Sequence, residues 1–251
     1  MARIITDETS LTRKHKGVIK ETGFLEKLVP FELGIAAVVI VLGLVRLIHA
    51  GSAAILVWGI LLLVAGFAHR LRIRQNMQDA GKMKAGLQGE AVVTRALDRA
   101  LDNTHYIFND QVVRSGLKRA QLDHVVVSPH GIFVIETKNW RGRIVGEAAA
   151  ARWHQFKDAG SKPLPVSNPI RQVQRSCRIL ASMLEPIRIP ADAIVPMVVF
   201  RSAHTVLDVK NSPVPILHAE TVARQVTAHQ RAEPLSEDRV DAVLRAFMEG
   251  V

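Results

Sequence analysis

Asp123, Glu136 and Lys138 are the residues of this chain whose types and spacing could do chemistry. They lie at the ends of one segment, Gln121 to Lys138 (QLDHVVVSPHGIFVIETK), which reads as a β-hairpin of two apolar runs around Ser-Pro-His-Gly. Side chains alternate faces along a strand, so Glu136 and Lys138 point the same way. If Pro129 and His130 form the connection, Ser128 pairs with Gly131 and Asp123 stands opposite Glu136. A four-residue loop from Ser128 to Gly131 keeps that register. A three-residue loop puts the two acids on opposite faces, because a one-residue slip flips every side chain. Ser-Pro-His-Gly leaves both parities open, since Pro suits the second position of a type I turn and Gly suits a loop end or a bulge.

Two carboxylates facing each other across a strand pair repel unless a cation lies between them. Mg²⁺ prefers carboxylate oxygen and keeps several waters, so it suits such a pair together with a substrate phosphate. A metal there activates water and offsets charge on a pentacovalent phosphorus, and a neighbouring ammonium orients the water or stabilises the same charge. The chemistry these residue types would do is phosphodiester hydrolysis. The plain alternative is a solvated Glu–Lys pair at an exposed hairpin end.

The elements around the hairpin have to position it. Residues 86–101 read as a helix with Val93, Leu97, Ala100 and Leu101 on one face. Glu90 lies one turn ahead of Val93 on that stripe, which aims its carboxylate toward the sheet; an acidic first-turn residue favoured by the helix dipole is the alternative. A short strand is expected at His105 to Asn109, a turn at Gly116 to Ala120, and a further strand at Arg143 to Val145. Ala159 to Asn168 reads as a loop. The helix after it, Pro169 to about Leu184, carries Ile170, Val173, Cys177, Leu180 and Leu184 at core spacing. Its other face carries Arg171, Arg175 and Arg178, either a ridge that tracks phosphates or a solvated basic face. Trp140 and Trp153 are expected mainly as packing residues, with base stacking as the alternative. Strands are expected at Ala193 to Phe200 and Val214 to Leu217, then helices at Ala219 to His229 and Ser236 to Met248.

The order of these motifs resembles the nuclease-related domain (NERD) family of the PD-(D/E)xK nuclease superfamily. The matching residues are Gly86-Leu-Gln-Gly89-Glu90, Gln121-Leu-Asp123-His124, Gly131 through Glu136-Thr-Lys138-Asn139-Trp140, Gly142, Trp153-x-Gln155, Asn168-Pro169-Ile170 and Gln172. The resemblance covers about Gly86 to Phe200. It implies an α/β fold with a PD-(D/E)xK nuclease-like αβββαβ core, a divalent metal (Mg²⁺ or Mn²⁺) and a nucleic-acid substrate, DNA or RNA. It implies Asp123 and Glu136 as metal ligands and Lys138 as the residue that positions or activates water. Glu90 would support the site, and Gln121, Gln155 and Gln172 would contact substrate. Related nucleases often carry a Gln and a Tyr four residues apart on this helix; here Ser176 follows Gln172, which weakens the carry-over at that position.

The N-terminal third is a different kind of object. Leu33 to Leu47 and Ala53 to Ala68 are nearly continuous apolar runs. With their flanks they approach the roughly 20 residues that span hydrocarbon. Ile48 to Ser52 suffice for a tight turn. A cleaved signal peptide fits badly, because two apolar runs occur and the first begins some way into the chain. Arg3, Arg13, Lys14, Lys16, Lys20 and Lys27 precede the first run, and Arg70, Arg72, Arg74, Lys82 and Lys84 follow the second. Arg46, at the end of the first run, can snorkel to the interface. The positive-inside rule therefore places both termini in the cytoplasm, with the protein in the inner membrane of its cell. The expected organisation is a cytoplasmic segment at residues 1–30, a transmembrane hairpin at 31–69, a basic linker at 70–85 and a nuclease-like domain at 86–251.

The formal net charge of +10 suggests nucleic acid, but location changes its weight. Residues 86–251 hold 21 Lys and Arg against 17 Asp and Glu, and the remaining +6 lies in the membrane flanks, where it also attracts anionic lipid. The single Cys177 agrees with a reducing compartment. Three functions fit: a membrane-anchored metal-dependent nuclease, a non-cleaving nucleic-acid-binding module that keeps the fold, and a membrane scaffold that recruits proteins. A homodimer is also open, since related nucleases cut both strands by pairing.

Overall fold

The computed structural model describes residues 2–5, 10–50 and 54–249. The chain divides into two compact units, one of residues 10–84 and one of residues 85–251 with the N-terminal strand. That strand, β1 (Arg3–Ile5), precedes the long helices α1 (Ser10–Ala50) and α2 (Ala54–Ala100). The boundary between the units falls inside α2. Residues 70–85, expected as a linker, are helical, and the helix expected from Gly86 is the continuation of α2. The turn expected at Gly51 and Ser52 lies outside the described residues.

In the hairpin unit, α1 and α2 pack closely because glycine stands where they meet. A Cβ on Gly59 would lie 2.5 Å from Ile40 Cγ1, one on Gly43 2.6 Å from the Leu56 nitrogen, and one on Gly66 2.9 Å from Leu33 Cδ2. Small residues at such a seam let apolar helices approach where no hydrophobic effect drives them together. Glu32 and His69 join the helices through an Oε2–Nδ1 contact of 2.7 Å. Val38, Val41, Leu42, Trp58, Leu61 and Phe67 face outward and are exposed. Both helices are long and apolar enough to cross a membrane, and only 17% and 11% of their most apolar windows are buried, unlike a soluble core helix.

The second unit continues with β2 (Tyr106–Ser115), β3 (Lys118–Ser128), β4 (Gly131–Lys138), β5 (Arg143–Glu147), β6 (Arg152–Phe156), β7 (Leu164–Ser167) and α3 (Pro169–Leu184). After these come β8 (Ile194–Phe200), β9 (Val206–Lys210), β10 (Ile216–His218), α4 (Val222–Ala228) and α5 (Glu237–Glu249). A six-stranded sheet runs β1-β2-β3-β4-β8-β10, and a four-stranded sheet runs β7-β6-β5-β9. The chain is thus a mixed α/β protein with the αβββαβ order at its centre and helices at its C-terminal end.

Alternation along β3 and β4 builds two cores. Val125, Val127, Ile132 and Val134 pack toward Ile170, Val173 and Leu180 of α3, with Val243 and Phe247 of α5. Val126, Phe133 and Ile135 face the other way, toward Val93 and Leu97 of α2 and Val222 and Val226 of α4. Both faces are covered, so the central strands read as continuous apolar runs.

Three expectations change. Residues 1–30, expected only as a segment ahead of the hairpin, include a strand: Arg3, Ile4 and Ile5 pair in parallel with Tyr106, Ile107 and Phe108 and cover the edge of β2. The strand expected at His105 to Asn109 runs on to Ser115, leaving Gly116 and Leu117 as the turn. Ala159 to Asn168 is not wholly loop, because β7 occupies Leu164–Ser167; it tolerates Pro165 as the outermost strand of the smaller sheet.

Candidate active site

The hairpin turn decides whether the acids meet. Pro129 and His130 form a two-residue connection, Ser128 pairs with Gly131, and the register runs without a slip to His124 opposite Ile135. The next position sets Asp123 opposite Glu136. The parity that the turn sequence left open is even. Both acids lie on the α3 side, as continuations of the Val125–Val127 and Ile132–Val134 rows.

Glu136 is 4% exposed and Lys138 reaches it directly, with Nζ 2.6 Å from Oε1. The same ammonium donates to Gln172 Oε1 on α3 at 3.0 Å and lies 5.6 Å from the ring centre of Trp140. Asp123 accepts the Thr137 N–H on Oδ2 at 2.8 Å, a bond that ties the end of β4 to β3. Its carboxyl nonetheless titrates well above the usual range, through burial first and then the charge of Glu136. Burial also raises Glu136, against the pull of Lys138.

Glu90 arrives from α2, and Gly89 is what lets it come close. A Cβ at Gly89 would stand 3.1 Å from Asn139 Cβ and 3.5 Å from Thr137 Cγ2, so the helix turn rests directly on the end of β4. Asn139 Nδ2 fastens that turn by donating to the Ala85 carbonyl at 2.6 Å. The Glu90 carboxyl is pushed up to about 7, by burial first, then by Asp110 and Glu136.

The model of the nuclease-related domain (NERD) family matches residues 85–201, the span from the Gly-x-x-Gly-Glu helix turn to the end of β8. Residues 85–201 are a nuclease-related domain. An uncharacterised protein from Bacillus anthracis is 32% identical over 103 residues, which is 40% of this chain and 47% of its own length. The chain thus matches about half the length of that relative. No solved structure matches it.

Within the NERD domain, Glu90, Asp123, Glu136, Lys138 and Gln172 come together at one end of the central strands. The other expected residues fall differently. Gln155 is buried and donates from Nε2 to the Arg141 carbonyl at 2.8 Å, so it braces the bend after β4 and is not presented to a substrate. Gln121 is exposed on β3 and donates to Asp110 Oδ1. Arg171, Arg175 and Arg178 are exposed on α3 and line open clefts beside it. Trp153 is fully buried, its indole N–H on the Glu147 carbonyl, and packs as expected. Asn168 caps α3 with Oδ1 on the Ile170 N–H, while its Nδ2 donates to the Ala148 and Ala150 carbonyls. The Asn-Pro-Ile motif is therefore a helix start that aims Gln172 at Lys138.

Two features were missed from sequence. Asp110 sits in the middle of β2 with φ of +53°, at the register position opposite Asp123, and its charge reaches Glu90. An Asn-Asp pair inside a strand was the available signal, since Asp tolerates the left-handed region better than most residues. His124, on the other face, is fully buried; its Nδ1 lies 2.6 Å from Asn109 Oδ1, which also accepts from Thr94 Oγ1 of α2. Burial drives its pKa down to about 3, so it is a neutral brace between α2 and the sheet.

Among the described residues no three His, Cys, Asp or Glu side chains converge as a closed metal-ligand set. The cluster offers two facing carboxylates, which fits an ion such as Mg²⁺ that keeps several of its waters. Burial raises the pKa of both, and the charge of Glu136 raises Asp123 further, a repulsion that a cation would relieve.

Proposed function

We propose that the NERD domain is a divalent-metal-dependent nuclease that hydrolyses phosphodiester bonds of nucleic acid, DNA before RNA, while anchored in the inner membrane and facing the cytoplasm. One observation carries the reading: the buried Glu136 carboxylate, the half-buried Asp123 carboxylate whose ionisation Glu136 opposes, and the Lys138 ammonium meet at one end of the β3–β4 pair. Buried carboxylates are costly unless a cation joins them, which makes the arrangement poor as mere structure and apt as a site.

Asp123 and Glu136 would hold Mg²⁺ or Mn²⁺, which when bound supplies an activated water and charge compensation at phosphorus. Lys138 is held by Glu136 and Gln172 where an ammonium can orient that water or steady charge on the phosphoryl oxygens. Glu90, titrating near neutrality, suits a group that takes or holds a proton beside the reacting oxygen. Arg171, Arg175 and Arg178 would follow the phosphate backbone.

The address rests on two supports. Lys and Arg precede the first apolar run and follow the second, a distribution that supports cytoplasmic termini. The pairing of β1 with β2 agrees with this, since two crossings return the chain to the side on which it starts.

The test is incubation of the detergent-purified chain with DNA and with RNA, in Mn²⁺ or EDTA. Metal-dependent cleavage, reduced at least about a thousandfold in Lys138→Ala, is expected. Binding without cleavage in any metal would replace this reading with the non-cleaving module. No affinity for either polymer would leave the protein-recruiting scaffold.

A further inference from the structure

The geometry points to an internal stretch of polynucleotide, rather than a chain end, as what the NERD domain receives: the strand enters through one basic cleft, crosses Lys138 and leaves through a second. This rests on the nuclease reading and adds the substrate class to it. The first cleft, about 620 Å³, lies along α3 and is lined by Asn168, Arg171, Gln172, Arg175 and Arg178. It reaches the site through Gln172, whose Oε1 accepts from Lys138. The second, about 700 Å³, is lined by Asn139, Trp140, Arg141, Arg201 and His204, with Glu220 as its one acid. It reaches the site from the other face of the sheet, since Gln88 and Val92 of α2 line it together with Asn139 and Trp140, which directly follow Lys138.

The second cleft has a structural cause. β4 and β8 run parallel, with Lys138 beside Phe200, so their carboxyl ends open at the same place and deliver Asn139 and Arg201 to it. Ligands of parallel sheets bind beyond such strand ends. Arg201 is held there by its N–H on the Lys138 carbonyl, and its Nη1 donates to Asn139 Oδ1 at 3.4 Å. Gln155 fixes the Arg141 carbonyl, which sets the start of the cleft wall. Trp140 presents its indole to the cleft, with Lys138 over the ring and Phe200 at its edge. Guanidinium groups beside an aromatic face are the elements that hold a single strand by its phosphates and bases. A site that reads a chain end needs such groups on one side of the reacting phosphate only; here they lie on both.

The test uses the full-length protein in detergent with Mn²⁺, on covalently closed circular DNA, single-stranded and duplex, on circular RNA, and on linear counterparts. Circles are expected to open at rates within about tenfold of the linear forms. Arg141→Gln combined with Arg201→Gln is expected to raise KM about tenfold with a smaller change in kcat, and to lower the salt slope of oligonucleotide binding in EDTA by about two phosphate contacts. Linear substrate cut while every circle stays intact would overturn the proposal and leave the nuclease reading standing. Unchanged KM and salt slope in the double variant would do the same. Failure to cut either form in any metal would overturn the nuclease reading and this proposal together.

Discussion

Asp123→Asn is expected to abolish hydrolysis while making the metal-free protein more stable. Asn keeps the Oδ acceptor that the Thr137 N–H uses at 2.8 Å and has nearly the same shape. What it removes is the charge that burial and Glu136 disfavour. Relief of that repulsion is worth about 1–2 kcal/mol, or a rise in Tm of about 3–6 °C for a protein of this size at pH 8 without metal. The same change removes one of the two facing carboxylates, and activity is expected to fall at least about a thousandfold. A structural ion pair behaves oppositely, because removing one partner of a buried pair destabilises. Thermal melts in EDTA beside cleavage rates in Mn²⁺ separate the two: a lower Tm together with retained cleavage sinks the assignment.

Between pH 6.5 and 8 the metal-free protein is expected to lose stability, and Mg²⁺ or Mn²⁺ to restore it. The Glu90 carboxyl is raised from 4.5 to about 7 in the folded state. A raised pKa means that the folded state holds its proton more tightly than the unfolded chain does. Its contribution is full below the unfolded pKa and is lost as pH rises through about 7. Asp123 and Glu136 act in the same direction. His124 acts in the other: held at about 3, it costs stability as pH falls through its unfolded pKa of 6.5, which offsets about 0.4 kcal/mol of the acids' loss between pH 6.5 and 8. Glu90 alone gives a loss of about 1 kcal/mol across the window, or about 2–4 °C in Tm. A millimolar divalent cation is expected to raise Tm at pH 8 and to do little at pH 6.5, and Asp123→Asn to flatten both responses. A melt that is flat over this window and indifferent to metal contradicts the arrangement.

Much of the site was legible because it lies on strands. Period-two alternation places Glu136 and Lys138 on one face whatever surrounds them, and the apolar stripe of Val93 and Leu97 aims Glu90 at the sheet. Loop parity was not legible, since Ser-Pro-His-Gly serves even and odd turns alike; only the Ser128–Gly131 pair resolves it. Asp110 escaped because its place depends on a single left-handed backbone angle, which side-chain periodicity does not encode. β1 escaped because three residues show no period at all. Arg201 looked like any surface arginine, and only the parallel pairing of two strands distant in sequence carries it to Asn139. Gln155 erred in the other direction: the motif names the residue, but its amide is spent on the Arg141 carbonyl. The continuity of α2 through residues 70–85 was hidden by Gly81, Gly86 and Gly89, which lower helix propensity without stopping a helix.

The proposed nuclease rests on one divalent cation that Asp123 and Glu136 would hold beside Lys138. The measurement that reaches it most directly is an electron paramagnetic resonance titration of the full-length protein with Mn²⁺ at pH 8, run on wild type, Asp123→Asn and Glu136→Gln. One saturable site in the wild type, weakened at least about tenfold in either variant, is the predicted result. Equal Mn²⁺ binding by all three proteins, or none by the wild type, would contradict it.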